Sequence, residues 1–347
     1  MTKDQGQKTK IAVLGVGRWG QNLVRNLAQQ PRVRVVALVD RNLERLQEVR
    51  DRLSLSPDLV LATDWAEIRE LAGLEAIVVA TPATTHYPLI ADALGLGYHV
   101  LAEKPLTLDP QECWQLAEKA KEHQVQLMVD HTYLFHPGVE AGQKAIASGR
   151  LGRLRYGYAT RTNLGPVRYD VDALWDLAIH DLCIFNYWLG AVPEMVAARG
   201  QNWLPNNQGL ADTVWLTLTY PGGFTATIHV SWLNPDKQRR LAVVGSEGTL
   251  VFDELQSDAP LQVRQGHFQA AEGYFLPQGI GVEKLEIGTA EPLRQVCDRF
   301  VTAIATNTPS FSSGALAADL VRVLQGAQLS LQQGGVAIAL DSWGEGV

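Results

Sequence analysis

From Lys10 to about Val129, short apolar runs alternate with stretches that place apolar residues at helical spacing. The runs are Ile11–Leu14, Val33–Val39, Leu59–Ala62, Ala76–Ala80, Val100–Ala102 and Gln126–Val129. They are brief, rich in Val and Ile, and bounded by turn residues, the pattern of strands buried on both faces. The stretches Gln21–Gln29, Leu43–Arg52 and Pro110–His123 predict helices between them. Repeated strand–helix units imply a parallel sheet with right-handed crossovers and helices on both sides, an α/β doubly wound, Rossmann arrangement.

Past Asp130 the rhythm changes, which divides the chain into domains 1–130 and 131–347. Helical patterns at Pro137–Ser148 and Ala173–Leu189 accompany longer segments of period-two alternation, Arg155–Thr162, Asp212–Tyr220, Phe224–Trp232 and Arg239–Gly245. In Asp212–Tyr220, Val214, Leu216 and Leu218 fall on one face and Trp215, Thr217 and Thr219 on the other. Pro221-Gly222-Gly223 predicts a hairpin turn. The second domain therefore reads as α+β, with an open, mainly antiparallel sheet backed by helices. Its other face carries Thr225, Thr227, His229 and Ser231 near Trp215 and Trp232. Such a face suits a homo-oligomer interface, of a dimer or tetramer, or a covering loop of the same chain. Pro292–Leu331 predicts helix again.

Composition narrows the function. A length of 347 residues exceeds the roughly 250–300 at which single cores stop growing, in keeping with two domains. The net charge of −7 argues against a general nucleic-acid partner, which would need a basic surface. Cys113, Cys183 and Cys297 are widely spaced, so a disulfide framework or zinc site is not expected. A polar N-terminus without a signal-peptide core, and no run of about 18 apolar residues, point to a cytoplasmic protein off the membrane.

Gly15-Val16-Gly17-Arg18-Trp19-Gly20 is a G-x-G-x-x-G placed directly after a strand and at the opening of a helix. Gly15 allows the tight turn, Gly17 lets backbone approach a pyrophosphate, and Gly20 lets helix and strand pack closely. Free N–H groups at the helix start then face the phosphates, with Arg18 and Trp19 in the same loop. Asp40 follows the second strand, where a carboxylate accepts hydrogen bonds from the adenosine ribose and repels a 2′-phosphate. That favours NAD, while Arg41 beside it keeps NADP as the alternative.

Glu103-Lys104-Pro105 after the fifth strand and Asp176-x-x-x-His180 in a helix, with Ala80-Thr81-Pro82 and the glycine loop, make the chain resemble the Gfo/Idh/MocA oxidoreductases. The resemblance spans nearly the whole chain. Arg161–His180, with Asn163, Arg168 and Leu174-Trp175-Asp176-Leu177, is similar to members acting on nucleotide-linked sugars, of the UDP-N-acetylglucosamine 3-dehydrogenase type. It implies hydride transfer between a secondary alcohol and a nicotinamide, catalysed by Lys104, Asp176 and His180. His180 would be the base and Lys104 the partner of the substrate oxygen. Thr81, Pro82, Glu103 and Lys104 are expected beside the cofactor. His86 would border the cofactor and His131 the substrate, with a structural role as the alternative for each. Asn163, Arg168, Trp232, Lys237 and Arg239 are candidate grips on a substrate diphosphate or sugar, a solvated role being the alternative for the arginines. Departures lie at Asp130-His131-Thr132-Tyr133, where the family often has an asparagine–arginine pair, and at Asp172-Ala173-Leu174, where glycines are common; both bear on the sugar's identity. A redox-neutral NAD-dependent glycosidase and a non-catalytic dinucleotide-binding sensor are the alternatives.

Overall fold

A computed structural model describes residues 8–204 and 209–340. The predicted six-stranded sheet is present, all parallel. Its strands are β1 (Thr9–Leu14), β2 (Val33–Val39), β3 (Val60–Ala62), β4 (Ala76–Val79), β5 (His99–Glu103) and β6 (Leu127–Asp130), in the spatial order β3-β2-β1-β4-β5-β6. Helices α1 (Gly20–Ala28), α2 (Leu43–Arg52), α3 (His86–Gly95) and α4 (Pro110–Glu122) make the crossovers. Ile11, Val13, Ile77, Val78, Val100 and Leu101 are wholly buried, as strands covered on both faces require. The strand order reverses between β1 and β4. Their C-terminal ends therefore flank the crevice in which open α/β sheets bind ligands.

The second sheet is larger than the alternation predicted. After α5 (Pro137–Ala147) come β7 (Leu154–Leu164), α6 (Ile179–Leu189), β8 (Met195–Gln201), β9 (Thr213–Thr219), β10 (Thr225–Ser231), β11 (Leu233–Gly245), β12 (Gly248–Asp253), β13 (Leu261–Ala271) and β14 (Tyr274–Lys284). The order is β14-β13-β12-β11-β7-β10-β9-β8, with the short β15 (Ile338–Ala339) beside β8. The β7–β10 pair is parallel and the other pairs are antiparallel. Pro221-Gly222-Gly223 turns between β9 and β10 as expected. In β9, Val214, Leu216 and Leu218 are buried while Trp215 is 45% exposed. Helix α6 is fastened to β7 by a buried two-bond ion pair, Arg161 to Asp181 at 2.8 and 2.9 Å. It is fastened to α5 by Trp188 Nε1, which donates to the Val139 carbonyl at 2.8 Å.

The C-terminal stretch is two helices, α7 (Pro292–Thr306) and α8 (Gly314–Gln332), separated at Asn307, which adopts a left-handed conformation. The chain forms two compact units, and its C-terminal stretch is shared between them. One compact unit runs to Phe135 and takes back Ala290–Val321; the other is His136–Thr289 with the chain from Arg322 on. The returning segment belongs with the first unit because it bonds to β6. Ser312 Oγ donates to the Val129 carbonyl at 2.6 Å, and the Val129 N–H donates to the Ser312 carbonyl at 2.9 Å. Arg25 Nη2 likewise donates to Glu291 at 2.6 Å. Such partners are invisible to a window of sequence. Among the described residues no helix is long and apolar enough to cross a membrane.

Candidate active site

In the first unit the glycine loop begins at Gly15, with φ of +87° and the Ala80 carbonyl so close that a Cβ would lie 2.6 Å from its oxygen. Only glycine fits there. A Cβ on Gly20 would strike the Gly15 carbonyl, so the helix start can approach the strand only without a side chain. Over Gly17, by contrast, nothing lies within 4 Å of an added Cβ. That open cradle, at the N-terminal end of α1, fits a dinucleotide pyrophosphate.

Asp40 braces the same loop. Its Oδ2 accepts the Val16 N–H at 3.0 Å, its Oδ1 accepts the Asn42 N–H at 3.0 Å, and Arg45 pairs with it at 3.4 Å. Arg41 is exposed. The carboxylate thus stands at the end of β2 with its orientation fixed by backbone donors.

Thr81 and Pro82 follow β4, and Thr85 Oγ1 donates to Thr81 Oγ1 at 2.7 Å. His86 is buried instead of lining a surface. Its Nε2 lies 2.9 Å from the Thr81 carbonyl, and its Nδ1 lies 3.1 Å from the carbonyls of Pro105 and Leu106. The ring therefore staples the loop after β4 to the loop after β5, which carries Lys104 and a cis Lys104–Pro105 bond.

At the ends of β5 and β6, Glu103 and Asp130 are register partners. Trp19 Nε1 donates to Asp130 Oδ2 at 3.4 Å, and Thr132 Oγ1 donates to Oδ1 at 2.7 Å. Burial pushes both carboxyls up, Glu103 well above the usual carboxylate range. His131 is buried, with no hydrogen-bond partner for Nε2 among the described residues. Burial, and then the Lys104 charge, hold it down at about 3, so the ring is neutral at physiological pH.

In the second unit, Asp176 sits in a π-helical turn, Leu174–Ala178, that runs into α6, and His180 is the second residue of α6. The alternation of apolar residues gave no sign of this wide turn, a feature that recurs at functional sites. Asp172 starts it: its Oδ1 accepts the Trp175 N–H at 3.1 Å, and burial raises its carboxyl to about 6. Asp176 is held on both oxygens. Trp232 Nε1 donates to Oδ2 at 3.1 Å, and Arg168 Nη1 donates to Oδ1 at 3.4 Å.

Trp232 is 1% exposed, and its indole N–H is given to Asp176. Arg168 is paired with both Asp170, at 2.6 Å, and Asp176. Asn163, half-buried, lies on β7 two residues from Arg161 and shares its face by strand alternation. Lys237 is exposed, and Arg239 pairs with Glu254 at 3.0 Å. Sequence reasoning missed the Trp19–Asp130 and Trp232–Asp176 contacts, because the partners lie 111 and 56 residues apart. Among the described residues no cluster of His, Cys, Asp and Glu is placed to hold a metal ion.

Residues 9–131 match the profile of an oxidoreductase family with an NAD-binding Rossmann fold, and residues 139–251 match that family's GFO/IDH/MocA C-terminal domain. The chain is 28% identical to UDP-N-acetylglucosamine 3-dehydrogenase of Acidithiobacillus ferrooxidans over 88% of its length and 91% of the relative's. It is also 28% identical to scyllo-inositol 2-dehydrogenase (NAD(+)) of Bacillus subtilis, over 72% and 75%. The crystal structure of a protein from Magnetospirillum magnetotacticum MS-1 superposes with a TM-score of 0.79 at 31% identity, covering 92% of this chain and all of that one. With the glycine cradle, the Glu103-Lys104-Pro105 turn and the Asp176–His180 helix all in place, the chain belongs to the Gfo/Idh/MocA family of NAD-binding oxidoreductases.

Proposed function

We propose that this protein is an NAD-dependent dehydrogenase acting on a ring hydroxyl of a sugar or cyclic polyol, with a nucleotide-linked sugar as the favoured substrate. The observation that carries the reading is the Asp176 carboxylate, held by Trp232 and Arg168 four residues before His180. The retention of Lys104, Asp176 and His180 together speaks against a non-catalytic dinucleotide-binding sensor. The relatives add the substrate class, since one is named for a UDP-sugar and another for an inositol.

When bound, the nicotinamide accepts the hydride from the alcohol carbon. The chain's own residues handle the rest. Lys104 directs its ammonium at the substrate oxygen and stabilises charge as the O–H is lost. His180 takes that proton, and Asp176 supports the ring as it becomes charged. Gly15, Gly17 and Gly20 admit the pyrophosphate, and the Asp40 charge selects NAD over NADP by repelling a 2′-phosphate.

The exposed face of the second sheet supports assembly as a homodimer or tetramer. Trp215 stacks on His229 with centroids 5.0 Å apart and planes 1° from parallel, which leaves a flat aromatic patch. Light scattering of the protein and of Trp215→Glu checks this; equal masses would remove the patch from the interface.

A spectrophotometric screen of NAD⁺ and NADP⁺ reduction across free sugars, inositols and UDP-sugars tests the function. A dehydrogenase accumulates NADH, whereas a redox-neutral glycosidase turns substrate over with no net NADH. Lys104→Ala and His180→Ala should each lose most turnover while still binding NADH. Wild-type-like kcat in either variant overturns that residue's assignment.

A further inference from the structure

The parallel register of β5 and β6 sets Glu103 beside Asp130 at the strand ends. Adjacent strands lie about 4.8 Å apart, so the two carboxyls are close neighbours. Two like charges held this close in dry surroundings do not both persist, so one partner is the acid.

The surroundings decide which. Asp130 is 1% exposed, and its oxygens accept from Thr132 Oγ1 and Trp19 Nε1. Those donors suit the ionised form. Glu103 Oε1 is buried with no hydrogen-bond partner among the described residues, which is costly for an anion and far less so for a neutral acid. The proton belongs on Glu103, donated toward Asp130. Other groups at the strand ends fit this charge state: Lys104 is cationic and acts on both carboxyls, while His131 is neutral. The Cys297 thiol on α7, raised by burial and by both carboxyls, is neutral too.

We propose that Glu103 and Asp130 act as one unit that holds a single proton, presents one negative charge to Lys104, and through Trp19 fixes the glycine loop to the ends of β5 and β6. The proposal deepens the functional reading above, since it rests on Lys104 as the group that meets the substrate oxygen. Asp130 supplies the charge and Glu103 supplies the donor, so both are positioning residues. The two roles separate under substitution. Glutamine at 103 can still donate, through N–H, while asparagine at 130 cannot carry the charge.

The first test needs no turnover. Infrared difference spectra of the cofactor-free protein against Glu103→Gln at pH 8, above the range in which Asp172 carries a proton, should show a protonated carboxyl band belonging to wild type. No such band overturns the proposal. The second test reads the pH profile of kcat/KM together with NADH affinity. Asp130→Asn should move the limb that reports Lys104 down by about one pH unit and weaken NADH about tenfold. Glu103→Gln should leave that limb in place. Equal movement in both variants overturns the division of roles. Should Asp130→Asn not fold, Trp19→Phe, at a residue 44% exposed, cuts the same link from the loop side. It should weaken NADH several-fold, and unchanged affinity would overturn the anchoring role. If Lys104→Ala keeps wild-type turnover, the reading of Lys104 fails, while the infrared band and NADH affinity still decide the pair.

Discussion

Trp232 donates its indole N–H to Oδ2 of Asp176 at 3.1 Å from a position that is 1% exposed. The bond joins the link between β10 and β11 to the π-turn ahead of α6, and so fixes a carboxylate on an irregular piece of helix by means of a rigid, packed ring. Trp232→Phe keeps most of the packing and removes the donor, so the change isolates the hydrogen bond. A bond to a charged group contributes about 1.5–3 kcal/mol. The expected result is a fall in kcat/KM of about tenfold or more, with NADH affinity unchanged. Steady-state kinetics beside NADH fluorescence titration check it; equal loss in both would point to general unfolding.

Asp40 gives a second prediction, on cofactor choice. Its carboxylate is fixed by the Val16 and Asn42 N–H groups. Asp40→Ser removes the charge that opposes a 2′-phosphate and also loosens the loop brace. The NAD-to-NADP ratio of kcat/KM should fall by about tenfold, which corresponds to about 1.4 kcal/mol. A ratio that does not move would take Asp40 out of cofactor selection.

The buried pair Arg161–Asp181 predicts a stability effect. Removing one partner leaves a charge buried without compensation, which costs about 3–5 kcal/mol. Arg161→Met should therefore lower Tm strongly, while replacing both residues with apolar ones should cost much less. Calorimetry of the single and double variants decides it, and near-additive losses would count against a paired interaction.

Asp172 predicts a pH dependence. Burial raises its carboxyl from the usual range to about 6, so the folded state holds this proton more tightly than the unfolded chain does. Its contribution is complete at low pH and is lost as pH rises from about 4 through about 6, by about 3 kcal/mol in all. Asp172→Asn keeps an oxygen to accept the Trp175 N–H and removes the titration. The stability of Asp172→Asn relative to wild type should climb across that window and level off above it. Denaturant melts at several pH values test this; a constant difference would mean that Asp172 titrates normally.

Much of this was legible before any coordinates. Strands buried on both faces must be apolar throughout, so Ile11–Leu14, Val33–Val39 and Ala76–Ala80 announced a parallel sheet. The glycine loop was legible because a positive φ at Gly15 and close packing at Gly20 leave no other residue to choose. Strands β13 and β14 were not legible. Phe268, Tyr274, Phe275, Ile280 and Val282 are apolar yet largely exposed, so the alternation of inside and outside fails there. Likewise no local pattern showed that α7 and the first part of α8, up to Val321, group with the first unit.

By itself, then, the sequence determined the element order of the first sheet, its doubly wound topology and the glycine cradle. Each follows from local periodicity, or from a backbone shape that only one residue tolerates, whereas Lys104, Asp176 and His180 stood out through the family resemblance. The tertiary structure alone decided the partners: Trp232 for Asp176, Glu103 for Asp130, and Trp19 for the end of β6. Those pairings depend on strand register and on burial. A carboxyl's charge is set by the donors and the dry surroundings that distant chain segments bring to it, and no local pattern records them.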